Sequence, residues 1–180
     1  MSKDTCIFTF GRCNPPHLGH GMVFDKALEL SSAINAELKI FLSATVDDTK
    51  NPLPLSLKKY YIDGFFPNTI PVLQDTQSKH LFDIMTSLDG KYRNIIFIGG
   101  SDRIETFQNT LDKYNGTLYN FNSIQAIMAG VDRDISEYSS TMMRACARNN
   151  DFSTFSLALP GSDESLKYQM FNDVVSRIKK

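Results

Sequence analysis

Two histidines lie three residues apart near the start of the chain, in the segment GRCNPPHLGH at residues 11–20. If a helix begins here, that spacing puts His17 and His20 on one helix face, one turn apart. A helix N-terminus exposes backbone N–H groups that favour anions, and Gly19 allows a ligand to approach the backbone closely. The segment therefore predicts a phosphate site. A zinc site is disfavoured, because histidine pairs that bind zinc on helices are spaced i, i+4 and need further ligands.

The residues before the histidines fit the same interpretation. Gly11 ends a strand-like run, and we expect it to relax the turn that leaves the strand. Pro15 and Pro16 stiffen the start of the helix. Arg12 and Asn14 are further candidates for contacts with a bound nucleotide.

A second polar segment lies near residue 140, where Ser139, Ser140 and Thr141 precede Arg144. Serine and threonine hydroxyls cap helix N-termini. An arginine one turn into the helix supplies a forked cation that suits phosphate oxygens. Taken alone, such a segment is typical of an ordinary capped helix with a surface arginine. Its chemistry is nevertheless again that of an anion site.

Two loops add weaker candidates. Gly99 and Gly100 follow the apolar run NIIFI and permit close backbone approach to a nucleotide. Asp102 suits either a ribose hydroxyl or the cap of the next helix. Lys50 lies in a long polar loop, where it suits either a phosphate contact or solvent. The glycines match neither the GxGxxG fingerprint of dehydrogenases nor the GxxxxGK[ST] loop of kinases.

These segments need a scaffold, and the sequence alternates strand-like with helix-like stretches. Strands are predicted at residues 6–10, 39–43, 69–73, 94–98 and 123–128. Helices are predicted at residues 17–34, 56–65, 79–88, 102–114, 141–148, 153–159 and 164–178. This alternation predicts an α/β fold, a doubly wound (Rossmann-like) five-stranded parallel sheet with flanking helices. We expect one domain over residues 1–180, with a C-terminal helical portion at about 140–180.

Composition narrows the classes of partner. A net charge of −1 argues against a nucleic-acid partner, and no apolar run approaches the roughly 20 residues that cross a membrane. The chain enters a strand-like run directly, without the apolar stretch of a signal peptide. Cys6, Cys13 and Cys146 lack metal-ligand spacing, so we expect free thiols, no protein-bound metal and a cytoplasmic location.

GRCNPPHLGH and SSTMMR, in this order and at this separation, resemble the nucleotidyltransferase superfamily with the HxGH signature. The first segment is similar to the GRFxPxHxGH form of nicotinamide mononucleotide adenylyltransferases and related phage enzymes, with Cys13 where these often have an aromatic residue. Residues 149–160 also resemble phage-type members. The resemblance implies ATP as substrate with Mg²⁺, a small phosphate-bearing acceptor such as nicotinamide mononucleotide, and NAD and pyrophosphate as products.

The resemblance also suggests roles for individual residues. His17 and His20 would bind the α- and bridging phosphates, with the larger transition-state role for His20. Arg12 and Arg144 would hold the β- and γ-phosphates or the acceptor. The family's Gly-rich turn and loop cation correspond here to Gly99-Gly100 and Lys50. Related enzymes are often oligomeric, so a homo-oligomer stays open.

Two alternatives remain at this stage. Cytidylyltransferases that act on polyol or sugar phosphates share the same core, and a non-catalytic nucleotide-binding module would keep the fold without turnover. The chain has no tryptophan to stack on a pyridine ring. Phe10, Tyr119 and Phe121 are candidates for that contact, and the sequence selects none of them.

Overall fold

Four parallel strands form the sheet in the computed structural model, which describes residues 4–75, 77–100, 104–130 and 138–179. The strands are β1 (Thr5–Gly11), β2 (Glu37–Leu42), β3 (Asn94–Gly99) and β4 (Ser123–Met128). Their spatial order is β2-β1-β3-β4. The chain thus leaves β1 toward one side and later returns to the other side of β1, as βαβ connections allow.

Seven α-helices accompany these strands in the described residues. They are α1 (Leu18–Ala33), α2 (Leu55–Phe65), α3 (Leu81–Leu88), α4 (Ile104–Tyr114), α5 (Ser140–Arg148), α6 (Phe152–Leu157) and α7 (Glu164–Arg177). Within the described ranges, no helix combines the length and apolar character required to cross a bilayer.

Helices cover both faces of the sheet. Successive strand residues point to opposite faces, so neighbouring residues are buried against different helices. Ile7 of β1 is fully buried in one cluster with Ala27 of α1. Phe8, the next residue, is fully buried on the other face with Ile84 of α3 and Leu111 of α4. The fold is therefore α/β, with a parallel sheet flanked by helices in a single domain, and it is compatible with the Rossmann-like expectation.

The predicted strand at residues 69–73 is wrong, so the sheet has four strands instead of five. A 3-10 helix occupies Pro67–Val72, and Leu73 forms only an isolated parallel bridge with Ile40. Pro71 explains the difference, because proline has no N–H to donate to a ladder. Val72 and Leu73 are half-buried and pack beside Ile40.

The last three helices form a layer beside α2. Met143 of α5, Phe155 of α6 and Phe171 of α7 are buried together with Tyr61 of α2. This cluster anchors α5, and α5 carries the second polar motif to the sheet.

Candidate functional site

A cavity of about 230 Å³ lies at the carboxyl ends of β1 and β3, beside the N-terminus of α1. These neighbouring strands flank the point where the order of the sheet reverses, which is where ligands bind in open α/β sheets. The predicted site residues that line it are Gly11, His17, Gly19, His20, Gly99, Gly100 and Ser139. Three separate segments of the chain therefore meet at one cavity.

Both histidines hold the helix start through one ring nitrogen. His17 is the N-cap of α1, and its Nδ1 accepts the Gly19 N–H at 3.0 Å. His20 Nδ1 accepts the N–H of His17 at 3.2 Å, which completes a capping box. The ring centroids are 4.0 Å apart. Because Nδ1 is an acceptor in each neutral ring, the proton belongs on Nε2, which makes Nε2 a hydrogen-bond donor.

The loop of residues 12–16, here named the β1–α1 loop, is tied to the next loop by Asn14. The Asn14 side chain is buried; its Nδ2 donates to the Leu53 carbonyl and its Oδ1 accepts the Leu53 N–H, both at 2.9 Å. Both polar atoms of the Asn14 side chain bind Leu53. The contact of Asn14 with a nucleotide stays a prediction. Arg12 is exposed and lies outside the lining formed by the described residues.

We expected Gly11 to supply the unusual backbone conformation of the turn after β1, but Cys13 supplies it. Gly11 is the last residue of β1, and its carbonyl accepts the Ser43 N–H at 2.9 Å. Cys13 adopts the left-handed conformation, with φ of 43°. Cysteine rarely does so, and its sequence position gave no signal. Its thiol lines the cavity, and burial raises the pKa of Cys13 to about 12.

The second motif packs directly against the β1–α1 loop. Ser139 caps α5 by accepting the Met142 N–H at 3.1 Å, as predicted. Ser140 Oγ donates to the Pro15 carbonyl at 2.9 Å, and Arg144 Nη1 donates to the Asn14 carbonyl at 2.8 Å. The two motifs are thus joined by hydrogen bonds, although they lie far apart in the sequence.

Arg144 also binds within its own helix, since Nη2 donates to Thr141 Oγ1 at 3.1 Å. The side chain is 7% exposed. Burial lowers the pKa of Arg144, and the nearby cations of Arg12 and Arg148 lower it further. The Asp47 carboxylate opposes these effects. Arg144 thus lies among two further cations and one carboxylate, and an anion bound beside it would favour its charged form. Neither Arg144 nor its partner Thr141 belongs to the described cavity lining.

The Gly-rich turn contributes backbone to the cavity. A Cβ placed on Gly99 would lie 3.0 Å from the Phe97 ring, so a larger residue there would require that ring to shift. Asp102 lies outside the described residues, and its predicted role stays a prediction. Of the three aromatic candidates, Phe10 lines the cavity, whereas Tyr119 and Phe121 are buried in the core cluster below the sheet.

Lys50 stands on an exposed turn outside the described lining. The turn is organised by Asp47, whose Oδ1 accepts the backbone N–H groups of Thr49 at 2.9 Å and Lys50 at 2.6 Å. These bonds hold the pKa of Asp47 well below its usual range. Arg148 of α5 donates to the Thr49 carbonyl at 2.9 Å, so the helix that carries Arg144 also contacts this loop.

Other lining residues carry no motif of their own. They include Thr9, Met22, Phe24, Gly130 and Tyr138. The position of Tyr138 next to Ser139 is the one signal that could have selected it. The remaining members come together only through the packing of α1 on the sheet.

The described residues hold no group of three or more His, Cys, Asp or Glu side chains arranged for a metal ion. A magnesium ion that enters with a triphosphate takes most of its ligands from phosphate and water and needs no such group.

No protein-family model matches the chain, and no curated protein matches its sequence. The interpretation of the site therefore depends on its own residues and geometry.

Proposed function

We propose that this protein is a nucleotidyltransferase that moves an adenylyl group from ATP to a small phosphate-bearing acceptor and releases pyrophosphate. Nicotinamide mononucleotide is the favoured acceptor and NAD the corresponding product. The observation that carries the proposal is the meeting of the HLGH and SSTMMR segments at one cavity. That cavity borders a helix N-terminus, where backbone N–H groups and the helix dipole favour phosphate.

The proposed reaction is an in-line displacement. An oxygen of the acceptor phosphate forms a bond to the α-phosphorus while the bond from that phosphorus to the bridging oxygen of the β-phosphate breaks. The leaving pyrophosphate carries the released electron pair. Because the acceptor phosphate is already ionised near neutral pH, positioning and charge stabilisation suffice and no strong base is required.

The histidines are suited to that task by their tautomer. With Nδ1 of His17 and His20 accepting backbone N–H groups, Nε2 of each ring presents a proton to phosphate oxygens. The guanidinium of Arg144 supports the same region with positive charge. Mg²⁺ arrives as part of the substrate and neutralises the triphosphate.

A matrix of substrates tests the proposal. The purified protein is incubated with Mg²⁺, with ATP or CTP, and with nicotinamide mononucleotide or one of several polyol and sugar phosphates. Pyrophosphate release and product mass are read together. We expect release with ATP and nicotinamide mononucleotide, with NAD as product. Release with CTP and a polyol phosphate instead would retain the mechanism and replace the substrates. Nucleotide binding without release in any pairing would favour a binding module and contradict the proposal.

A further inference from the structure

Lys58, in α2, is completely buried, and its charged group lies against the β1–α1 loop. Lys58 Nζ donates hydrogen bonds to the backbone carbonyl oxygens of Arg12, at 3.0 Å, and of Ser43. Among the described residues it forms no ion pair with a carboxylate. A buried ammonium without a carboxylate is energetically costly. The presence of a lysine at this position therefore requires an explanation.

The two carbonyl groups that Lys58 binds lie just beyond the carboxyl ends of two neighbouring strands. Arg12 directly follows β1 and Ser43 directly follows β2. The Arg12–Cys13 peptide is trans, and in a trans peptide the C=O and the N–H point in opposite directions. A carbonyl held toward Lys58 therefore turns the Cys13 N–H away from it. Because Cys13 lines the cavity, Lys58 sets the orientation of a peptide that borders the site.

The other buried lysine among the described residues, Lys167, is paired with a carboxylate. Lys167 in α7 is 7% exposed, and its Nζ pairs with Glu164 at 3.2 Å. Lys58 instead has two carbonyl acceptors, which favour its charged form, while burial lowers its pKa and the neighbouring Cys13 opposes that effect. Buried ionisable groups held in this way are concentrated at functional sites.

We propose that Lys58 is a positioning residue for phosphate binding: it fixes the Arg12–Cys13 peptide and adds a positive charge beneath the bound triphosphate. This inference rests on the proposed function, in which a triphosphate is the substrate. Binding of a bare triphosphate tests it without any turnover.

The test compares the wild type with Lys58→Met, Lys58→Gln and the control Lys167→Met. Inorganic tripolyphosphate is titrated into each protein by calorimetry, and kcat and KM for ATP are measured beside it. Methionine removes both charge and hydrogen bonds, whereas glutamine keeps a donor for one carbonyl. We expect Lys58→Met to weaken tripolyphosphate binding and to lower kcat/KM for ATP by about tenfold or more. Lys58→Gln should fall between it and the wild type, and Lys167→Met should stay within about threefold of the wild type.

Circular dichroism and urea unfolding establish that each variant is folded, and Lys58→Gln carries the test if Lys58→Met does not fold. A folded Lys58 variant that binds tripolyphosphate as the wild type does would overturn the role of Lys58, whatever the turnover. Equal losses of tripolyphosphate binding and kcat/KM in Lys167→Met would also overturn it, because removal of any buried lysine would then have the same effect. Tripolyphosphate binding by the wild type without pyrophosphate release would refute the proposed function and leave the Lys58 comparison intact.

Discussion

At the scale of single residues, the side chains that we propose to bind the substrate also hold the local structure together. His17 and His20 use Nδ1 to cap α1 and line the cavity with the same rings. Arg144 holds the Asn14 carbonyl in place while adding positive charge to the region. A substitution to alanine at such positions therefore mixes effects on folding and on turnover, and a test must separate the two.

Asn14 gives a test of the structural duty. Asn14→Ala removes both hydrogen bonds to Leu53 and leaves a buried N–H and a buried carbonyl without those partners. We expect a loss of roughly 2–4 kcal/mol in the free energy of unfolding, measured by urea denaturation. The exposed Asn68 provides the control, since Asn68→Ala should change that energy by less than about 0.5 kcal/mol. Equal stability of the two variants would contradict the bridge between the loops.

At the scale of elements, α5 is the part that joins the second motif to the first. Its N-terminus is capped by Ser139, and its last turn carries Arg148, which donates to the Thr49 carbonyl. The position of the helix start thus decides where Arg144 and Ser140 contact the β1–α1 loop.

The cap makes a measurable prediction. Ser139→Ala removes the acceptor of the Met142 N–H, and we expect a loss of about 1 kcal/mol in the free energy of unfolding. Ser176→Ala is the matched control, because the Ser176 hydroxyl is exposed in α7 and its hydrogen bonds stay within that helix: it donates to the Asp173 carbonyl and accepts from Arg177 Nη1. That control should remain within about 0.5 kcal/mol of the wild type. A Ser139→Ala protein as stable as the control would show that the cap is not needed.

Elements also show how far sequence reasoning extends. The apolar runs at residues 94–98 and 123–128 predicted strands correctly, because the local pattern and the buried sheet agree. The run at 69–73 forms no strand, since Pro71 cannot donate to a ladder, and of its five residues only Thr69 is buried. The left-handed Cys13 and the burial of Lys58 depend on contacts between loops that no local pattern encodes.

At the scale of the whole molecule, the order of the parallel strands decides where the cavity lies. The order β2-β1-β3-β4 brings the carboxyl ends of β1 and β3 side by side, and the C-terminal helices then place α5 beside them. The general location could be predicted from the sequence, because strand ends in such sheets face one edge. Which candidates line the cavity could not, since that is decided by packing: Gly99 does, whereas Arg12 and Lys50 lie outside the described lining.

Asp47 links the global stability to pH. Its pKa is held well below the ordinary value of 3.8 in the folded state, first by the Lys50 N–H and then by the Asn51 side chain. Its stabilising contribution is therefore complete above that value and declines as the pH falls through the lowered pKa. Asp47→Ala should reduce the free energy of unfolding by about 1 kcal/mol at pH 7, and the gap should narrow between about pH 4 and pH 2.

Urea midpoints measured across that range check the prediction. Asp48→Ala replaces the adjacent exposed carboxylate, which accepts the Thr49 hydroxyl, and should change the stability at pH 7 by less than about 0.5 kcal/mol. A gap between the wild type and Asp47→Ala that widened in acid would contradict the sign of the linkage.

The decisive measurement is the turnover of His20→Asn with MgATP and nicotinamide mononucleotide, followed by pyrophosphate release. The asparagine oxygen can accept the His17 N–H as Nδ1 does, so the helix cap is kept while the Nε2 donor is lost. We expect kcat to fall at least about a hundredfold in a protein that unfolds close to the wild-type urea midpoint, while His80→Asn, at the third histidine, keeps its activity. A folded His20→Asn protein that releases pyrophosphate at the wild-type rate would contradict the assignment of this cavity as the place of nucleotidyl transfer.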